Sequence, residues 1–239
     1  MTRGNMFTLF PYFFSKFIQF VSISVFIVVI SGIINPSFPA NGQQKIDWKL
    51  WKKSDNAELS YRVIVASDLI EVKAKATLHS SLSGFILFLL DTDNIPQWLA
   101  NAKASKILQT VDAHTHIFTT EFHGLWLINN REMIVRSHIK QHQDLRISIT
   151  VDNAHHFDKQ PHTVLVDVIS AQWLITPISS KEIEIEYNFI VDPKGNIPAW
   201  LANKMTLKST WQTLQNIQQQ LPHSTWQKST FESIKEKGN

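Results

Sequence analysis

The sequence feature that most constrains the fold is an alternation of apolar and polar residues that recurs over much of the chain. In residues 70–78 every second side chain is apolar, and in residues 181–191 Glu184 and Glu186 separate apolar positions. A period of two is typical of half-buried antiparallel strands. The same pattern predicts further strands at residues 61–65, 104–112, 114–122, 131–142, 145–152 and 163–176.

A helical repeat replaces this alternation near the C-terminus. Apolar residues recur there at three- and four-residue steps, namely Trp200, Leu207, Trp211, Leu214, Ile217 and Leu221. This spacing predicts an amphipathic helix of roughly 22 residues, about 33 Å long. Short helices are expected near residues 48–51 and, after the second strand, at residues 85–90 and 95–99. Together the elements predict an α+β fold, in which the space between sheet and final helix is either filled or holds a ligand.

The first 42 residues have the character of a targeting segment. Residues 17–34 carry no charge, Arg3 and Lys16 precede them, and the small residues Ala40 and Gly42 follow. A basic flank, an apolar run and a small-residue exit are the parts of a secretory signal. An uncleaved membrane anchor is the alternative, since an uncharged run of 18 residues is near the lower limit for spanning a bilayer.

This interpretation divides the chain into three parts. We expect a signal peptide or anchor at residues 1–42, one domain at residues 43–222, and a loose polar tail at residues 223–239. The domain is expected to be exported, either periplasmic or anchored in the inner membrane and facing the periplasm.

Composition and charge exclude several function classes. The chain has no cysteine, which excludes disulfides and thiolate metal sites. Beyond residue 42 it carries 21 basic and 20 acidic side chains, and this balance predicts no nucleic-acid partner. His114 and His116 share strand parity, but spacing indicates no third metal ligand. No Gly-x-Ser-x-Gly motif is present. We therefore predict no metal, no cofactor and no catalytic residue.

Four segments, in order, resemble conserved segments of the START lipid-transfer domain family, and most closely its bacterial exported members. They are Asp93-Asn-Ile-Pro-Gln-Trp98, Trp126-Leu-Ile-Asn-Asn-Arg-Glu132, Val168-Ile-Ser-Ala-Gln-Trp-Leu-Ile-Thr-Pro177 and the strand, turn and helix entry at residues 184–203. The resemblance implies a helix-grip fold, in which a curved antiparallel sheet wraps around the long C-terminal helix. It also implies an apolar tunnel for a lipid or sterol, without specifying which.

Parity on the predicted elements, read with this resemblance, selects candidate ligand-binding residues. They are Met133, Val135, Arg136, Ile139, Asp167, Ile169, Trp173, Tyr187, Phe189, Leu207, Trp211 and Leu214. Asp167 shares the parity of Trp173 and is expected to pair with Arg136 or Arg131, because a buried carboxylate requires a partner. Trp98, Trp126, Trp173 and Trp200 are interpreted as packing residues.

Three functional hypotheses remain open from the sequence. The first is a monomeric, exported module that binds, and in one version carries, a lipid or other apolar molecule, with a membrane surface as a further partner. The second is a cyclase- or hydrolase-like enzyme that uses Asp167, Arg136 and Tyr187 inside the pocket. The third is an interaction module whose core is completely filled.

Overall fold

A ten-stranded sheet and one long helix account for most of the residues that the computed structural model describes, which are 47–124, 129–154 and 156–238. The strands are β1 Lys49–Lys53, β2 Ala57–Val63, β3 Ile70–His79, β4 Ala102–Thr110, β5 Thr115–Phe122, β6 Arg131–Gln141, β7 Ile147–Asn153, β8 Val164–Leu165, β9 Asp167–Ser179 and β10 Glu182–Asp192. The helices are α1 Leu82–Leu90, α2 Ile95–Trp98 and α3 Ala199–Gln220, and short 3₁₀ segments lie at Thr92–Asn94, Leu221–His223 and Thr225–Lys228. The predicted targeting segment, residues 1–42, lies outside the described residues.

The sheet is antiparallel throughout its main path. Its strand order is β1-β2-β3-β10-β9-β7-β6-β5-β4, and the short β8 pairs in parallel with β6. The strand that comes last in the sequence therefore lies between β3 and β9, where Ile185 is opposite both Ala76 and Ile175. This central position of β10 joins the N-terminal strands to the rest of the sheet. The predicted α+β helix-grip fold is confirmed.

Helix α3 covers the inner face of this sheet. Its 22 residues follow Pro198, and Ala202, Leu207, Trp211, Leu214 and Ile217 are its buried residues. Among the described residues, no helix is both long and apolar enough to cross a membrane. The amphipathic repeat seen in the sequence thus corresponds to a helix with one buried stripe on a sheet.

Helix α1 is apolar on most of its surface and is largely buried. The hydroxyl of Ser81 caps it by accepting a hydrogen bond from the backbone N–H of Gly84 at 3.0 Å. The carboxylate of Glu236 accepts two more, from the N–H groups of Leu82 at 3.0 Å and Ser83 at 2.7 Å. Three of the N–H groups that begin a helix without intrahelical partners are thereby satisfied.

The prediction of a short helix near residues 48–51 is wrong, because most of this segment belongs to strand β1. A β-bulge between Leu50 and Lys52 shifts the register against β2. Trp48 and Leu50 precede this bulge and Trp51 lies within it, so the three residues do not follow the alternation of a regular strand. The two short helices α1 and α2 consequently follow the third strand rather than the second.

The prediction of a loose tail after residue 222 is also wrong for residues 223–238. The indole N–H of Trp226 donates a hydrogen bond to Asp91 at 2.7 Å, and Ile234 is buried. Gln141 exchanges two hydrogen bonds with the backbone of Lys235, each 2.8 Å long. The tail therefore packs on α1 and on the end of β6.

Candidate ligand cavity

A cavity of about 340 Å³ lies between α3 and one half of the sheet. The sheet contributes mainly apolar side chains to its wall, among them Phe118, Phe122, Met133, Val168, Trp173, Tyr187 and Phe189. Helix α2 and the following turn contribute Ile95, Trp98 and Leu99, and α3 contributes Met205 and Leu214. A concave space with mainly apolar walls and few polar groups is typical of a site for a small apolar ligand.

The cavity occupies only the half of the sheet at which β6 begins and β10 ends. On β10 the residues in its wall are Tyr187, Phe189 and Val191, whereas Ile183 and Ile185 are fully buried in the core. The other half is filled by α1, whose Phe85 and Ile86 are also completely buried. One end of the domain is thus a solid core and the other end is hollow.

Three aromatic rings form a continuous surface in the cavity wall. The rings of Trp173 and Tyr187 stack with centroids 4.1 Å apart, and those of Tyr187 and Phe189 with centroids 4.7 Å apart. Burial raises the pKa of the Tyr187 phenol far above its usual value. Tyr187 is therefore a neutral hydroxyl on an otherwise apolar surface and does not supply a base near neutral pH.

Two of the hydroxyl groups on the α3 side of the cavity accept hydrogen bonds from the turn after α2. Thr213 accepts a hydrogen bond from the N–H of Ala100 at 3.1 Å, and Ser209 accepts one from the amide of Asn101 at 2.9 Å. These bonds tie the turn between α2 and β4 to α3.

Arg131, the first residue of β6, contributes a charged group to the cavity wall. Its guanidinium donates hydrogen bonds to three backbone carbonyls, those of Asn129 at 2.6 Å, Lys194 at 3.1 Å and Pro193 at 3.5 Å. Burial lowers the pKa of this side chain. From the sequence, Arg131 is expected only as a partner for Asp167, although it shares the strand parity of Met133, and that parity is a signal for a place in the wall.

Five of the twelve candidate residues lie in the cavity wall: Met133, Trp173, Tyr187, Phe189 and Leu214. Their role in binding remains a prediction. Seven others lie elsewhere, for two different physical reasons.

Four of those seven, Val135, Ile139, Leu207 and Trp211, are buried where the core is filled. Val135 and Ile139 have the expected parity on β6 but lie further along the strand than the cavity extends. The indole of Trp211 packs edge-on against Trp51 of β1, with centroids 6.5 Å apart. Parity identified their burial correctly but could not show which part of the inner face is hollow.

The other three, Arg136, Asp167 and Ile169, do not point into the cavity. Arg136 is on the outer face, where it pairs with Asp152 at 3.7 Å. A register shift between Ile190 and Val191 of β10 places a bulge opposite, in β9, so that Ile169 is 54% exposed. The bulge inverts the parity of the first residues of β9 relative to Trp173.

The same inversion changes the environment of Asp167. Its carboxylate accepts a hydrogen bond from Asn153 at 2.6 Å and lies 3.3 Å from the ammonium group of Lys194. The expected pairing with Arg136 or Arg131 is therefore wrong. Because Asp167, Arg136 and Tyr187 do not converge, the described structure lacks the arrangement that the enzyme hypothesis requires.

The histidines that suggested a metal site lie away from the cavity. Within the described ranges, no group of three or more His, Asp or Glu side chains is arranged to hold a metal ion. His116 is buried on β5, and burial lowers the pKa of its imidazole. Trp200, interpreted as a packing residue, is instead 69% exposed at the start of α3.

Comparison with known families decides the identity of this fold. The START domain model matches residues 40–227. The chain belongs to the START domain family. START domains in general bind lipids or other apolar ligands, and the hollow half of this domain is consistent with that property.

Solved structures show the same START fold at low sequence identity. A fragment of a STAR-related lipid transfer protein from Xanthomonas axonopodis is 22% identical, with a TM-score of 0.65, over 73% of this chain and 98% of the fragment. Human StAR-related lipid transfer protein 5 is 15% identical, with a TM-score of 0.63, over 76% of this chain and 89% of that chain.

A sequence relative, an uncharacterized protein of Pseudomonas aeruginosa, is 18% identical over 72% of this chain and 85% of its own length.

Proposed function

We propose that this START domain binds a lipid by enclosing its apolar chain in the cavity beneath α3. The observation that carries the proposal is the hollow half of the domain, with a volume of about 340 Å³ and a wall built largely from aromatic and aliphatic side chains. Transfer of an acyl chain from water into this space is favourable by about 25 cal/mol per Å² of apolar surface buried. The interaction-module hypothesis assumes a completely filled core, and the cavity in this half of the domain argues against that assumption.

The experiment that tests this proposal is lipid binding by the purified protein. Native mass spectrometry would detect a co-purified lipid, and titration with a fluorescent fatty-acid probe would measure affinity. The matched variants are Ala171→Phe, which places a ring in the cavity, and Ile169→Phe, which adds the same ring at an exposed position of the same strand. Binding that is lost in the first variant and retained in the second supports the proposal, and no binding of any lipid by the wild type contradicts it.

Residues 1–42 are proposed to deliver the domain across a membrane, as a cleaved leader or a retained anchor. The support is the uncharged run at residues 17–34 behind Arg3 and Lys16. Expression of the full chain in a Gram-negative host, followed by fractionation and N-terminal sequencing, tests this. A mature protein in the periplasmic fraction that begins near Gln43 indicates cleavage, and an intact chain in the cytosol contradicts export.

Contact with a membrane surface is proposed at the N-terminal end of α3. Trp200 is 69% exposed there, and Ile197, three residues earlier, belongs to the cavity wall. Val65, in the turn before β3, is 76% exposed, and the following residues of this turn reach α3 through a hydrogen bond from Asn203 to the carbonyl of Asp68. Exposed tryptophan is favoured at the interface between lipid headgroups and acyl chains. A lipid could then enter the cavity beside the surface that supplies it.

A further inference from the structure

One residue of the cavity wall carries a charge that apolar binding does not explain, namely Arg131. This residue is only 9% exposed, and its side chain belongs to the cavity wall. An arginine side chain remains charged at physiological pH. Placing a charge in a buried and largely apolar wall is costly unless a counter-charge or hydrogen-bond partners compensate it.

Hydrogen bonds compensate Arg131 only in part. Three backbone carbonyls accept from its guanidinium, which has five N–H donors, so that two donors remain. All Asp and Glu residues of the chain fall within the described ranges, and none of the ion pairs there includes Arg131. The positive charge at the cavity therefore has no anionic partner in the described part of this protein.

The acid next to it in the sequence, Glu132, is occupied on the opposite face of β6. Its carboxylate accepts hydrogen bonds from the hydroxyls of Thr119 at 2.7 Å and Thr163 at 3.1 Å, and from the N–H of Gln160. Because successive residues of a strand point to opposite faces, Glu132 cannot turn toward the cavity without breaking β6. Glu132 therefore does not neutralise Arg131.

The turn between β10 and α3 holds the guanidinium in a fixed place. Two of its three acceptor carbonyls belong to this turn, at Pro193 and Lys194. Gly195 lies against it with φ +73°, and a Cβ atom at this glycine would be 3.1 Å from the Arg131 Nη2 atom. A donor group that is held in place before the ligand arrives loses little entropy on binding.

We propose that Arg131 binds the anionic headgroup, a carboxylate or a phosphate monoester, of a single-chain lipid whose apolar chain fills the cavity. The inference rests on the proposed function, and it specifies the ligand class for the same site. The free N–H donors of a guanidinium match the paired oxygens of a carboxylate or phosphate. A volume of about 340 Å³ is near the lower end of the range of roughly 300–1,000 Å³ for ligand pockets, which favours one chain over two.

The alternative role for Arg131 is purely structural, in which its three hydrogen bonds join the start of β6 to the turn before α3. The two roles differ in a measurable way. A structural residue affects the binding of charged and neutral lipids equally, whereas a headgroup residue affects only the charged ones.

The experiment compares ligands that share one twelve-carbon chain and differ only in headgroup: dodecanoate, dodecyl phosphate and dodecanol, with inorganic phosphate alone as a fourth probe. Affinities of the full-chain protein are measured by displacement of a neutral fluorescent probe above neutral pH. We expect the wild type to bind at least one of the two anionic lipids roughly tenfold or more tightly than dodecanol, as a charged hydrogen-bonded contact implies. The preferred anionic ligand then identifies the headgroup as carboxylate or phosphate.

The variants are Arg131→Gln, and as a matched control Arg136→Gln on the exposed face of the same strand. Arg131→Gln should abolish the preference for the anionic lipid and leave dodecanol binding within about threefold, and Arg136→Gln should change neither. If Arg131→Gln does not fold, Arg131→Lys replaces it, because lysine keeps the positive charge but lacks the planar set of N–H donors of a guanidinium. Arg131→Lys should reduce the preference for the anionic lipid without abolishing it.

The possible outcomes separate this inference from the proposed function. Equal affinity of the wild type for dodecanol and both anionic lipids overturns the headgroup assignment while lipid binding stands. Binding of none of the three lipids contradicts the proposed function itself. Inorganic phosphate that competes as well as dodecyl phosphate identifies a free-anion site and also overturns the assignment.

Discussion

The rings of Phe85 and Trp173 meet edge to face, with centroids 6.0 Å apart, at the boundary between the solid and hollow halves of the domain. Phe85 projects from α1 and is completely buried, whereas Trp173 belongs to the cavity wall. The edge-to-face arrangement is one that aromatic pairs prefer. We therefore expect helix α1 to close the inner end of the cavity and the size of Phe85 to limit how far a ligand can reach.

Replacement of Phe85 by alanine is expected to lower stability and to lengthen the cavity. Loss of a fully buried phenyl ring costs about 3–5 kcal/mol in the free energy of unfolding, because the cavity left behind relaxes only partly. Urea unfolding measures the first effect, and affinities for fatty acids of increasing chain length measure the second. The exposed Ile178, changed to alanine, should alter stability by less than about 0.5 kcal/mol. An unchanged chain-length optimum in Phe85→Ala would show that α1 does not limit the cavity.

Stability is expected to decrease in mildly acidic solution because of His116. Burial lowers the pKa of its imidazole, and the neighbouring charge of His114 lowers it further, while Asp112 opposes the shift. The folded-state pKa is therefore below the unfolded value of about 6.5, so the unfolded chain binds the proton first as the pH falls. The resulting loss of stability begins as the pH falls through about 6.5 and ends below the folded-state pKa.

The measurement for this prediction is the urea midpoint as a function of pH. Replacing His116 by glutamine should flatten the decrease below about pH 6.5. The exposed His79, replaced in the same way, should leave it unchanged. A wild-type profile that is flat across this range would contradict the assignment to His116.

The C-terminal tail is expected to stabilise α1 through Glu236. Its carboxylate accepts the N–H groups of Leu82 and Ser83, where a negative charge is also favoured by the helix dipole. Glu236→Gln should therefore lower the free energy of unfolding by about 1 kcal/mol. Thermal or urea unfolding measures this, with Glu232→Gln, at an exposed position of the same tail, as the control. Equal effects of the two substitutions would argue against a specific cap.

Vesicle binding is expected to depend on Trp200. Its exposed ring near the cavity should insert between lipid headgroups, so that Trp200→Ser reduces co-sedimentation with vesicles several-fold. Fluorescence of the other tryptophans and the urea midpoint should be nearly unchanged, because an exposed side chain contributes little to stability. Ile107→Ser, at an exposed position of β4, is the control. Equal vesicle binding by wild type and Trp200→Ser would refute this docking surface.

The secondary structure could be predicted closely wherever the pattern was regular. The helical repeat predicted α3 to about 22 residues, and the alternation in residues 181–191 predicted β10, observed at Glu182–Asp192. Two of the failures, at β1 and at the start of β9, coincide with irregular backbone. Bulges after Leu50 in β1 and opposite Ile190 in β9 each insert one residue, which breaks the period of two that the prediction relies on.

The type of most elements after residue 57, and the resemblance to the START family, were determined by the sequence alone, because periodicity and local motifs are properties of neighbouring residues. Only the tertiary structure decided which half of the inner face is hollow. Val135 and Met133 share one face of β6, yet Met133 lies in the cavity wall whereas Val135 is completely buried in the core. The position of Arg131 is of the same kind, since two of its three acceptors lie more than sixty residues away, at Pro193 and Lys194. Residues so far apart in the sequence are brought into contact by tertiary packing, which a local sequence pattern does not predict.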